Sequence, residues 1–189
     1  MDVKKAIELL KRNDCLILPC DTLYGLGGRA YSFEAVQKAY DIKKRPKEKK
    51  LPVHYYSLEQ IEKDFILCEK AKILAEKFWP GALTIILNKK SDSKIAIDSY
   101  DVAIRIPNNK IILQLLKELG EPLFMPSANF SGEVPKKTFK EISESLGISG
   151  IEDDLNIAHF PSTIIDLKDG LKIIREGVIS SKDIEKAIL

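Results

Sequence analysis

Residues 43–50, KKRPKEKK, place six cations and one acid in eight positions of a chain whose formal net charge is only +2. Two chemistries fit such a run. One is a solvated loop, the fate of most charge runs. The other is an anion site in which several cations converge on one multiply charged ligand such as a triphosphate. Lys43 and Arg45 fall at the end of a predicted helix, where cations oppose the negative end of the dipole. Pro46 fixes the chain direction behind them. A second polar group, Ser127, Asn129 and Ser131 in PSANFSG, alternates along a segment that reads as extended, so its side chains face one way. Hydroxyls and an amide so placed suit phosphate or sugar oxygens, and equally suit a plain turn. A third group, Asp21, Thr22 and Tyr24, follows a short apolar run, and open α/β sheets bind ligands at such strand ends. Arg105 in VAIRIP has apolar neighbours, so it needs a wet face or an anion, and its planar fork matches a carboxylate. Arg175 in KIIREG is the weaker parallel. His54 in LPVHYY reads first as a core histidine.

These residues need elements to hold them. Asp2 caps a predicted helix with Ala6, Leu9 and Leu10 on one face. CLILP (15–19) reads as a buried strand. DTLYGLGG (21–28) reads as a tight strand-to-helix turn whose glycines supply positive φ. It lacks both the G-K-[ST] ending of a phosphate loop and the G-x-G-x-x-G spacing of a dinucleotide site. Ser32 caps a helix that Pro46 prevents from running on. Strands are predicted at 51–56, 82–89, 101–107 and 122–126, and helices at 69–79, 109–120 and 137–147. STIIDL and LKIIRE, joined by Lys168-Asp169-Gly170, read as a hairpin. A last helix starts near Ser181. Trp79 reads as core or helix-end packing. Helical crossovers together with a hairpin imply one α/β domain with a mixed sheet.

Composition narrows the classes. A chain of 189 residues, 44% hydrophobic and 31% charged, suits one globular domain over 1–189. No apolar stretch is long enough to span a membrane, and the charged start MDVKKAIELLKRND has no signal-peptide core, which predicts a cytoplasmic protein. Cys15, Cys20 and Cys68 lack metal-ligand spacing and read as reduced thiols. With His54 and His159 the only histidines, a His-rich metal site is not expected.

Taken in order, DCLILPCDTLYGLGG, IKKRPKEKKLPVH, FWPGALT, VAIRIPN, PSANFSG, PSTIID and IIREG resemble the YrdC-like family of threonylcarbamoyl-adenylate synthases. The family's Lys-x-Arg and Ser-x-Asn pairs stand here as Lys43-Lys44-Arg45 and Ser127-Ala128-Asn129. The resemblance implies a twisted open sheet of parallel and antiparallel strands with flanking helices and a large, positively charged concave groove. It also implies an activity: joining L-threonine, bicarbonate and ATP into threonylcarbamoyl-adenylate and pyrophosphate. Separate transfer proteins then carry the group to tRNA.

By the same resemblance, Lys43 and Arg45 neutralise charge on the reacting triphosphate, which arrives with Mg²⁺. Ser127 and Asn129 face them across the groove, Lys49 lines the same path, and Ser162 and Arg175 touch the nucleotide. Arg105 holds the threonine carboxylate, helped by Thr22, Tyr24, His54 and Thr163. No further C-terminal domain of the kind carried by larger relatives is expected. Two departures from the family's habit stand out: Cys20 where Thr is frequent and Lys50 where Pro is frequent. The alternatives are a YciO-like paralogue, or a module that binds tRNA or double-stranded RNA in the basic groove without synthase activity. Such a module would be expected to interleave stacking aromatics with its cations, and only Tyr55 and Tyr56 flank the run.

Overall fold

The computed structural model describes residues 1–188. Eight strands form one sheet in the order β1-β2-β6-β3-β5-β4-β7-β8. They are β1 (Leu16–Leu18), β2 (Gly25–Arg29), β3 (Val53–His54), β4 (Leu83–Asn88), β5 (Asp101–Arg105), β6 (Leu123–Phe124), β7 (Thr163–Asp166) and β8 (Lys172–Arg175). The β3–β5 and β4–β7 pairs are parallel and the others antiparallel, so the sheet is mixed as its crossovers and hairpin require. The helices are α1 (Val3–Lys11), α2 (Phe33–Lys43), α3 (Leu58–Asp64), α4 (Glu69–Phe78), α5 (Lys110–Leu119), α6 (Phe139–Leu146) and α7 (Ser181–Ile188). None of the described helices is long and apolar enough to cross a membrane.

Local chemistry sets most boundaries. The Asp2 carboxylate accepts from Lys5 N at 2.8 Å and starts α1. Ser32 and Asn109 cap α2 and α5 in the same way, and Gly120 ends α5 in the left-handed region. Helices α1 and α5 press Leu10, Ile112, Leu115 and Leu116 onto Leu16, Leu18 and Leu123, making a small core. The larger core, including Leu26, Tyr55, Phe65, Leu74, Ile85, Ile104, Phe124 and Ile165, joins the remaining strands to α2, α4 and α7.

The structure corrects three expectations. GLGG is not a turn: Gly25 to Arg29 is strand β2, and none of Gly25, Gly27 and Gly28 has positive φ. These glycines are instead where neighbours press on bare backbone. A Cβ on Gly28 would sit 2.3 Å from the Phe124 ring, and one on Gly27 2.4 Å from Leu18. The strand predicted over 51–56 pairs only at Val53–His54, continued by Tyr55 N donating to Arg105 O. Pro52, having no N–H, cannot donate to the ladder, and only its carbonyl takes part, accepting from Met125 N at 2.9 Å. Helix α3 was not predicted; Ser57 caps it through Gln60 N.

Candidate functional site

One face of the sheet borders a cavity of about 560 Å³. Cys20, Thr22 and Tyr24 reach it from the loop after β1, His54 from β3, and Arg105 from β5. Thr84, Ser162 and Arg175 face it from β4, the approach to β7, and β8. Ser127, Lys136 and Lys137 come from the connection between β6 and α6, and Arg45 and Lys50 from the segment after α2. Six of these residues are cations, and none of the described lining residues carries a carboxylate. The expectation of polar groups gathered at strand ends is therefore met from both halves of the chain.

Arg105 is 2% exposed and already committed. Its Nη2 donates to both Asp21 carboxylate oxygens, at 2.7 and 2.5 Å, and to Gly81 O at 2.7 Å. Its Nη1 donates to Thr22 Oγ1 at 3.1 Å, while Nε is buried without a partner. The expected free fork for an incoming carboxylate is thus shared with Asp21, a residue the sequence placed in the loop but gave no role. Cys20 extends the group by donating its thiol to Asp21 Oδ1 at 3.0 Å. Burial pushes that thiol up to about 12, so it stays protonated. His54 lies beside Arg105 in the parallel β3–β5 register. Burial, and then the Arg105 charge, hold its imidazole well below the ordinary histidine range, so it is neutral at pH 7. Its Nδ1 is buried without a partner.

At the other side of the cavity, the basic run is ordered by its own cations. Arg45 donates from Nε to Lys49 O at 2.8 Å and from Nη2 to Lys50 O at 2.9 Å, closing the loop behind Pro46. This fold turns Lys50, not Lys49, onto the cavity, with Lys50 Nζ on Asp98 O at 3.0 Å. Lys49, expected along the same path, has an exposed side chain off the cavity lining and contributes its backbone carbonyl to Arg45. Lys43, expected on the triphosphate, is turned inward. It is 1% exposed, does not line the cavity, and places Nζ 2.5 Å from both Ser127 O and Asn129 O. The Ser127–Ser131 segment is not extended, since Asn129 N turns back to Ser127 O at 3.0 Å. Ser127 therefore faces the cavity. Asn129 does not; it gives Nδ2 to Phe130 O and Glu133 O.

Two further residues act on the fold. Thr163 is fully buried and faces away from the cavity; its hydroxyl donates to Ile179 O and accepts from Gly177 N and Ile179 N. Alternation along β7 is the reason, because Ser162 and Ile164 take the cavity face. Tyr24 lines the cavity, but its hydroxyl donates to Asp154 Oδ1 at 2.7 Å and accepts from Asp153 N at 2.8 Å. Ser162 and Thr84 hydroxyls lie 2.8 Å apart, and Arg175 Nη2 holds Ser162 O at 2.8 Å. The sequence singled out none of Thr84, Lys136, Lys137 and His159, which also line the cavity. The KK pair before the capping Thr138 was the one signal available for two of them.

An open mixed sheet with six cations around one cavity defines the chain as an α/β protein with a positively charged site. The chain belongs to the Sua5/YciO/YrdC family. The family model, described as "Telomere recombination", matches residues 8–177. A Bacillus subtilis protein named threonylcarbamoyl-AMP synthase is 36% identical over 195 residues, covering 98% of this chain and 56% of that protein. A Methanocaldococcus jannaschii relative is 37% identical over 185 residues, covering 93% of this chain and 87% of its own length. The crystal structure of Pyrococcus abyssi Sua5 complexed with L-threonine superposes with a TM-score of 0.88 at 32% identity, over 98% of this chain and 57% of that one. The chain thus spans a little over half the length of the Bacillus and Pyrococcus proteins.

Proposed function

We propose that this chain joins L-threonine, bicarbonate and ATP into threonylcarbamoyl-adenylate, releasing pyrophosphate, for the threonylcarbamoyladenosine modification of tRNA. The observation that carries the reading is the convergence of Arg45, Lys50, Lys136, Lys137, Arg105 and Arg175 on one cavity without a lining carboxylate. A triphosphate is a ligand that needs such a surface, and relatives named for this synthase share the fold.

Threonine's amine is carboxylated by bicarbonate with loss of water, and the resulting carbamate presents an oxygen to the α-phosphorus of ATP. The new O–P bond forms as the bond to the pyrophosphate oxygen breaks. Negative charge grows on the equatorial oxygens and on the leaving group. Arg45 and Lys50 would offset it from one wall and Arg175 from the other, so positioning and charge stabilisation carry the reaction. Mg²⁺ would enter on the phosphates of ATP; no group of three or more His, Cys, Asp or Glu among the described residues is placed to hold a metal. The amino acid would lie toward Thr22, His54 and Arg105, its carboxylate sharing the guanidinium with Asp21. A neutral His54 adds no charge there and offers a polar ring edge. Separate transfer proteins would take the product to tRNA, in the cytosol where these substrates lie.

The test is pyrophosphate release from ATP and bicarbonate with each amino acid in turn. Release with L-threonine and far less with L-valine is expected, because a site that hydrogen-bonds the hydroxyl is left with unpaired polar groups when it is missing. Equal release with valine would overturn threonine as the preferred substrate, and none with either amino acid, alongside tight RNA binding that weakens as salt rises, would favour an RNA-binding module.

A further inference from the structure

Lys43 is a buried ammonium with no carboxylate on it. It forms no salt bridge within the described residues, and its side-chain partners there are two carbonyls, Ser127 O and Asn129 O. The same residue's own carbonyl accepts from Ser131 N at 2.8 Å, and Lys44 Nζ sits 5.2 Å from the centre of the Phe130 ring. The end of α2 therefore grips the 127–131 loop at four residues, 127, 129, 130 and 131. The loop's opposite tether is lighter: Ala128 N donates to Tyr24 O at 2.8 Å, and Ser127 bridges Gly25. Ser127, held between these tethers, is the loop residue that faces the cavity.

A buried cation without an anion costs stability, so its retention calls for a use. Lys43 does not line the cavity, so direct contact with a ligand there is not that use. We propose that Lys43 is a positioning residue: its ammonium ties the Ser127–Asn129 turn to the end of α2 and so sets the cavity wall against which a polyanion binds. The inference rests on the reading of this cavity as a triphosphate site.

The charged and titratable neighbours are few. On α2 and its end, Tyr40 is turned to Lys49 O, Asp41 to Gln37, Lys44 to Phe130 and Arg45 to the basic loop. On the facing loop the acid is Glu133, which is exposed and pairs with none of them. Burial, then the Arg45 charge, push the Lys43 ammonium down to about 8 from the ordinary 10.5. The two carbonyl contacts pull the other way, because they favour the charged form. The tie should therefore weaken over a window between pH 8 and 10.5, below an ordinary lysine.

The experiment follows, by ¹³C NMR, the methyl group of Ala128, the buried residue between Ser127 and Asn129 in sequence. The ligand-free protein is titrated from pH 6.5 to 10.5 as wild type and as Lys43→Met, and ATP binding at pH 7 is measured by calorimetry. Expected are a methyl transition with a midpoint under 10.5 in the wild type, none in Lys43→Met, and at least tenfold weaker ATP binding by the variant. ATP added to the wild type at pH 7 should not drive the methyl toward its Lys43→Met position; if it does, the ammonium leaves the carbonyls for phosphate and the proposal is overturned. A wild-type methyl that does not titrate, a transition that survives in the variant, or unchanged ATP affinity overturns it equally. Should Lys43→Met not fold, the wild-type titration and the ATP response decide. Should the wild type bind no ATP, the synthase reading falls, and the ligand-free titration still judges the tie.

Discussion

The two basic walls of the cavity hold their cations by different means. On the β5 side, Arg105 is paired with the Asp21 carboxylate, and the pair is further fixed by Thr22, Gly81 and Cys20. At the end of α2, Arg45 on the wall and Lys43 behind it are held by backbone carbonyls alone. A carboxylate partner cancels the charge and occupies the fork; a carbonyl partner orients the cation and leaves its charge uncancelled. The difference teaches where an anion's charge would be met: the α2 wall supplies positive potential, while the β5 wall supplies shape and hydrogen-bonding groups.

The largest expected effect breaks the paired wall. Arg105→Ala leaves Asp21 without its cation in a largely buried setting and should cost about 3–5 kcal/mol of stability, read from urea unfolding. A loss under about 1 kcal/mol would mean that water or another donor compensates Asp21, and the contrast between the walls would fail.

The unpaired wall has a pH signature of opposite sign to a salt-bridged group. Lys43 titrates near 8 in the folded chain and 10.5 when ordinary, so between those values the unfolded state holds more protons. Its contribution is therefore unfavourable below about pH 8 and is relieved as pH rises toward 10.5. Set against Lys43→Met, the wild type should gain up to about 3 kcal/mol across that window. A difference that stays flat, or runs the other way, would show that the ammonium is compensated after all.

Away from both walls, Thr163→Val strands Gly177 N and Ile179 N and should cost about 1–3 kcal/mol of stability. ATP affinity should stay within roughly twofold, since the residue faces away from the cavity. The smallest effect sharpens the basic run itself. Lys50→Ala should weaken ATP binding by about 1.5 kcal/mol, roughly tenfold, and Lys49→Ala hardly at all. The reverse order would restore the sequence expectation for Lys49.

The mixed sheet, the α2 boundary at Lys43 and the hairpin of β7 and β8 were legible because caps, prolines and apolar periodicity are local signals. The cavity's gathering of Thr22, Tyr24, His54, Arg105, Ser127, Ser162 and Arg175 was legible too, through strand ends and the family resemblance. What could not be read was partner choice. Nothing local shows that Asp21 would claim Arg105, that Lys43 would turn inward to two carbonyls, or that Arg45 would close its own loop and present Lys50 instead of Lys49. GLGG misled for a related reason: glycine's usual meaning is conformational, but here Leu18 on the paired strand and Phe124, distant in sequence, need the space. Thr163 was misplaced by one step of alternation, which only the register of β7 against β4 settles.

The most direct measurement is a crystal structure of the protein with ATP, Mg²⁺ and L-threonine. The account predicts the triphosphate between Arg45, Lys50 and Arg175, threonine toward Thr22, His54 and Arg105, and Lys43 Nζ still on the carbonyls of Ser127 and Asn129. A triphosphate seated away from the α2 wall, or an empty cavity at saturating ATP, would contradict it.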